Sequence, residues 1–316
     1  MDAHELLERY AAGERNFDTV DLSGTYLSGA DLRGVDLKKA ILCEADLSGA
    51  YLVGAELNGV VLREANLSGA RLSGAHLNGA DLSKANLVGA DLSSTTLWRA
   101  VLKRANLAGA NLNRASLNEA NLAEANLATA DLRDAKLTGA NLTGANLSEA
   151  TLVKATLCKA KLVLASLCGA NLERADLAEA NLSDSDLSWV NLDGANLRAA
   201  NLSRVNLGEA ELTGANLYRA NLTAAKLIVA ILRGANLERA ELISANLSSA
   251  DLSWANLDDA NLSGANLHRA ILEDTRLSST ILRGADLNEA KLNSEIHALN
   301  FLDFSWATMP DGAVHS

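Results

Sequence analysis

The chain repeats a phrase of five residues. From Leu22 to Leu292 every position ending in 2 or 7 is leucine, 55 consecutive units without an insertion, and Phe17 stands in the same phase just before them. Two places before each leucine is a small residue, mostly Ala and otherwise Val, Thr or Ser, as at Val20, Thr25, Ser185 and Thr275. A helix cannot use this spacing. At about 100° per residue, five residues advance the leucine by about 500°, which scatters the side chains around the axis. A leucine-rich repeat needs a period of about 20 to 29 residues with unequal leucine spacings inside it. Two apolar positions separated by one residue fit a short extended segment with both side chains on its inner face. The two remaining residues, such as Thr143 and Gly144, must then turn the chain before the next unit does the same. One phrase is thus one side and one corner of a wound coil.

Composition fits a narrow interior. Only 3% of the residues are aromatic, so the 48% that are hydrophobic are carried mainly by Leu and Ala, which cannot fill a wide globular core. Composition changes only near residue 293, and no Pro/Gly-rich linker marks a boundary between independent domains. The net charge of -11 and scattered bases speak against direct nucleic-acid binding, which needs clustered Lys and Arg. The first residues, MDAHELLERY, carry neither a basic leader nor a long apolar run, so neither a signal peptide nor a membrane span is expected. Cys43, Cys158 and Cys168 are odd in number and match no metal-ligand spacing, and a reducing cytoplasm suits them. All three follow a leucine and are expected to be outward-facing thiols.

Units such as ADLSG at 45–49 and ANLSG at 65–69 match the motif A(N/D)LXX in full. On these residues the chain resembles the pentapeptide-repeat family over about nine-tenths of its length. The resemblance implies an all-β fold, a right-handed quadrilateral β-helix with four pentapeptides per coil. Sorting the residue before each leucine by its place in a 20-residue coil gives one column rich in Asn and Asp, from Asp46 through Asn66, Asn86, Asn106, Asn126 and Asn146, with Lys226 interrupting it later. Stacked coils would make this column a ladder of side-chain hydrogen bonds along one face. The organisation expected is a helical cap at 1–13, a β-helix of about 14 coils at 14–292, a register-shifted last coil at 293–309 and a C-terminal tail at 310–316.

The ends and corners carry further signals. Asp2 with Glu5 makes a capping box, and Leu6, Leu7 and Tyr10 share a helical face, so a short helix from about Ala3 to Ala12 should cover the first coil. After Leu292 the phase breaks, and Leu299, Phe304 and Met309 recover the five-residue spacing shifted by two, which reads as a two-residue insertion within 293–298. The tail is expected to leave the coil at Pro310, and TMPDGAVHS resembles the ending of cyanobacterial members of the family. Gly crowds the second corner position in the first coils and thins out later. Type II turns need a positive φ there, so the early corners should be uniform and the later ones, bearing Arg, Glu or Trp, irregular.

No catalytic arrangement is present in the sequence. His4, His76, His268, His297 and His315 have no partner at metal or triad spacing, and a convex coil with a filled interior offers no cleft in which to desolvate a carboxylate pair. No enzyme activity, cofactor or metal is expected. What remains is surface. Outward apolar residues gather at Val153, Val163, Leu164, Cys168, Trp189, Ile228, Val229, Ile231 and Ile243, and the residues chosen for partner contact are Trp189, Val229, Ile228 and Trp254. The leading reading is a non-enzymatic scaffold presenting flat faces to an unidentified protein, as a monomer or an end-to-end dimer, with no membrane and no direct nucleic acid. The alternative, which the resemblance suggests, is a DNA mimic acting on gyrase or another topoisomerase. Mimicry needs a continuous negative face, whereas Lys84 and Arg104 share a column with Glu44, Glu64 and Glu124.

Overall fold

The computed structural model describes residues 1–292 and 303–315. They belong to two compact units, Met1–Lys161 and Leu162–Ser316. In each unit the backbone bridges to itself in parallel at a separation of 20 residues. Asp46↔Asn66, Tyr51↔Arg71, Glu56↔His76 and Val61↔Asp81 show this in the first unit, and Asp186↔Asn206, Asn191↔Glu211, Asn196↔Asn216 and Asn201↔Asn221 in the second. Four bridges five residues apart complete one turn, so the coil has four sides, and the fold is the quadrilateral β-helix, right-handed, that the pentapeptide resemblance implies. Each leucine of the repeat up to Leu287 is buried with its small partner, except that Val20, Thr25, Ala30 and Thr275 keep partial exposure. Where Thr or Ser replaces Ala, the hydroxyl returns its proton to a leucine carbonyl: Thr95 Oγ1 to Leu92 at 2.7 Å, Thr280 Oγ1 to Leu257 at 2.8 Å.

Tracing the backbone N–H groups explains the motif. The leucine N–H crosses to the next coil, as from Leu67 to Asn86 O at 2.7 Å, and the N–H before it crosses back, as from Asn66 to Ala45 O at 2.9 Å. The second corner N–H also crosses forward, as from Gly69 to Val88 O at 2.9 Å, and the small residue closes the turn, as from Ala70 to Leu67 O at 3.0 Å. The N–H just after leucine has no backbone acceptor. The Asn or Asp before the leucine supplies one through its own side chain: Ser68 N donates to Asn66 Oδ1 at 3.2 Å and Ser188 N to Asp186 Oδ1 at 3.1 Å. A buried or half-buried amide left unpaired is costly, which is the physical reason for N/D at that place.

The same amides form ladders, but not on one face alone. In the expected column Asn66, Asn86, Asn126 and Asn146 donate to the coil before at 3.0 to 3.2 Å. In the second unit the longest run lies in another column, Asn196, Asn216, Asn236 and Asn256, donating in turn from 2.8 to 3.5 Å. Most places where Asn stacks on Asn or Asp form such a rung, as also at Asn111 on Asp91 and Asn206 on Asp186.

The corners correct an expectation. Every position ending in 4 or 9 from Thr19 to Glu289 has a positive φ, between 54° and 69°, whether it holds Gly, Arg, Glu or Trp. With the closing hydrogen bond from the small residue, this is the type II turn throughout. Late corners are as regular as early ones because the corner N–H is tied to the neighbouring coil, as from Arg239 to Asp258 O at 3.0 Å, and stacking outweighs the side chain's own preference.

Helix α1 (Ala3–Ala11) is capped by Asp2, whose carboxylate accepts from Glu5 N at 2.8 Å. It lies on the first coil: Leu6 is fully buried, Tyr10 donates its hydroxyl proton to Arg33 O at 2.8 Å, and the Arg9 guanidinium sits 5.5 Å from the Phe17 ring centre. At the other end, Ile281 bridges Asp303 and Asp286 bridges Thr308, a separation of 22, which places Phe304 and Met309 in leucine positions. The insertion read within 293–298 and Leu299 lie outside the described residues. The tail does not simply leave the coil at Pro310. It turns at Gly312 and returns antiparallel, with Trp306 N donating to His315 O at 2.7 Å and His315 N to Ala307 O at 2.8 Å.

Candidate interaction surface

A buried interior of Leu and Ala leaves three outward positions per repeat, and their neighbours are fixed by the register. A residue's counterparts one coil away lie 20 positions earlier and later, about 4.8 Å apart. Charged residues use this spacing. Lys84 pairs with Glu64 at 2.6 Å, Arg104 with Glu124 at 2.6 Å, Arg204 with Asp184 at 2.6 Å and Arg269 with Glu289 at 2.7 Å. Hydrogen bonds from the arginines hold the carboxyls of Glu124, Asp184 and Glu289 below the usual carboxylate range. The column that mixes Lys84 and Arg104 with glutamates is therefore interrupted by neutralised pairs and is not a continuous negative stripe.

Among the described residues no group of His, Cys, Asp and Glu is placed to hold a metal ion. His76 and His268 are half-buried and touch coil neighbours: His76 Nδ1 lies 3.3 Å from Thr96 Oγ1, and His268 Nδ1 lies 3.5 Å from Asn288 Nδ2. The thiols of Cys43, Cys158 and Cys168 are half-buried.

All four residues singled out for contact are exposed: Trp189 by 59%, Val229 by 51%, Ile228 by 40% and Trp254 by 62%. Three of them sit on one corner of the second unit. Trp189 and Val229 occupy the same corner position two coils apart, with Glu209 between them, and Ile228 precedes Val229. The stacking is shown by Trp189 N donating to Gly208 O at 3.0 Å and Glu209 N to Ile228 O at 2.9 Å. Trp254 lies on the next corner along, so it borders the adjoining side and not the same corner. Ile231, also exposed, starts that side and extends the patch around the bend. Trp189, Val229 and Trp254 all hold a positive φ, of 56°, 60° and 59°. That conformation suits glycine and is strained for a β-branched residue. Sequence reasoning located the apolar residues by phase but passed over Glu209 and Glu211, whose isolation shows only when their stacked neighbours are named.

The model for pentapeptide repeats matches the chain in eight copies, at 21–59, 61–99, 100–139, 125–163, 160–198, 191–227, 220–259 and 260–294. The chain is a pentapeptide-repeat protein. No curated protein matches it in sequence. Among solved structures it is similar to HetL, a pentapeptide-repeat protein involved in heterocyst differentiation regulation in the cyanobacterium Nostoc sp. strain PCC 7120, with 33% identity over 100% of both chains and a TM-score of 0.29. It is also similar to alr5209 from the same Nostoc, 38% identical over 35% of this chain and 80% of that one, with a TM-score of 0.25. QnrB1, a plasmid-mediated fluoroquinolone resistance protein, is 16% identical over 56% of this pentapeptide-repeat chain and 92% of its own, with a TM-score of 0.49. No helix among the described residues is long and apolar enough to cross a membrane.

Proposed function

We propose that this pentapeptide-repeat protein is a non-catalytic scaffold, working in the reducing cytoplasm, that docks a protein partner on the apolar corner of its second unit. The observation that carries the reading is the choice of side chain at Trp189 and Val229. Both stand outward, contribute nothing to the Leu and Ala interior, and occupy a backbone conformation that glycine meets without strain. Large apolar groups kept in water at such corners gain nothing for the core, and aromatic anchors dominate binding when a partner desolvates them. The gyrase reading finds less support, because the acidic columns are interrupted by paired Lys and Arg.

The test is affinity capture from the source organism with the wild-type chain and with Trp189→Ala. The expected result is an unchanged melting temperature together with loss of a specific partner. A variant that melts lower and captures the same proteins would show that Trp189 only packs on its neighbours. Clear inhibition of DNA gyrase supercoiling at micromolar protein would favour the topoisomerase reading instead.

A further inference from the structure

The apolar corner has two carboxylates set into it that form no ion pair among the described residues. Glu209 stands between Trp189 and Val229 in its column, and Glu211 between Asn191 and Ile231, bridged to each. Elsewhere in this unit acids with a cation in reach are paired: Asp184 with Arg204, Asp251 with Arg233, Asp259 with Arg239, Glu289 with Arg269. Glu209 and Glu211 have only apolar or neutral residues above and below them, so the register gives neither carboxylate a cation from a stacked neighbour. Gly208, just before Glu209, leaves the corner low there, between Ser188 and Ile228 in the adjacent column. A Cβ at that position would come within 3.3 Å of Asn206 Oδ1.

We infer that the corner of Glu209 and Glu211, framed by Trp189, Ile228, Val229 and Ile231, docks a segment of a partner protein that carries Arg or Lys between apolar side chains. The inference rests on the docking reading above and adds the partner's chemistry. Any partner that covers the apolar frame takes both carboxylates out of water. Burying an ionised group without a counter-charge costs far more than covering four apolar side chains returns. A neutral or acidic segment is therefore rejected, and a basic one is selected. Arginine fits best, since its planar fork can serve a carboxylate with two hydrogen bonds while its face lies on the Trp189 ring. Trp189 and Val229, two coils apart, leave roughly 10 Å between them, enough for one such side chain.

The experiment uses the full chain and three fluorescein-labelled ten-residue peptides, alternating Leu with Arg, Leu with Glu, and Ser with Arg. Anisotropy titrations are run against the wild type, Glu209→Gln/Glu211→Gln, Trp189→Ala, and Glu44→Gln/Glu149→Gln, which removes the same charge from corners of the first unit. The Leu/Arg peptide is expected to bind the wild type and the Glu44/Glu149 variant alike, and at least about tenfold more weakly to the other two. The other two peptides should bind the wild type at least about tenfold more weakly as well. Neither Glu209 nor Glu211 makes a side-chain bond, so unchanged melting of the double variant serves as the folding control. If Trp189→Ala weakens binding and Glu209→Gln/Glu211→Gln does not, the basic partner is overturned while docking stands. If neither weakens it, both readings fall. Self-association of the wild type that the double variant abolishes would identify a second copy as the occupant and overturn the assignment.

Discussion

An asparagine before the leucine serves three hydrogen bonds at once. Asn126 Oδ1 accepts from Ala128 N at 3.2 Å and from Asn146 Nδ2 at 3.2 Å, while its own Nδ2 donates to Asn106 Oδ1 at 3.1 Å. Asn126→Ala leaves the Ala128 amide without an acceptor and should cost about 1 to 2 kcal/mol in chemical denaturation. Asn126→Asp keeps the acceptor and should cost less, and equal losses would show that the turn amide is not what the side chain serves. The corner residues make the opposite kind of prediction. Val229 at φ 60° is strained, and Asn tolerates that region, so Val229→Asn should raise stability by about 1 kcal/mol. The same substitution should weaken docking of the Leu/Arg peptide. A variant both less stable and still able to dock would place Val229 among residues kept for packing.

At the scale of elements, the N-terminal helix was legible because its signals are local. Asp2, Glu5 and the apolar Leu6 and Tyr10 lie within one stretch, and α1 spans Ala3–Ala11. The regular corners and the returning tail were not legible, because both depend on contacts far along the chain. Arg239 takes a positive φ through a bond to Asp258 in the next coil, and the tail turns back because Trp306 and Ala307 offer unpaired backbone groups to His315. Glycine content and Pro310 report local preference only. The contact residues were placed by phase, yet the isolation of Glu209 needed the 20-residue register to name Trp189 and Val229 as its neighbours. Deleting residues 1–13 removes the cover from the core leucines of the first coil, and Asp21, Tyr26 and Asp31 there have no preceding coil to pair with. Light scattering should show association or aggregation of the truncated chain, and an unchanged monomer would count against the helix as a cap.

Across the whole molecule, carboxylates held by arginine decide the response to acid. The Glu14, Glu124, Asp184 and Glu289 carboxyls are lowered first of all by hydrogen bonds from Arg9, Arg104, Arg204 and Arg269. A lowered folded pKa adds stability that is fully present above the unfolded value and lost as pH falls through the folded one. Melting temperature should therefore hold steady near neutrality and drop below about pH 4. Added salt should shrink the difference, since these pairs are exposed. A melting temperature that climbs on acidification would contradict the assignment. The inward-facing pair of Leu and a small residue has a consequence for reading ancestry. Two letters in every five are prescribed by the interior, so two unrelated lineages of this architecture begin near two-fifths identity before any common duty is counted. Descent of function is written in the outward letters, and an alignment scored only at those three positions is the one that would group proteins by what they hold.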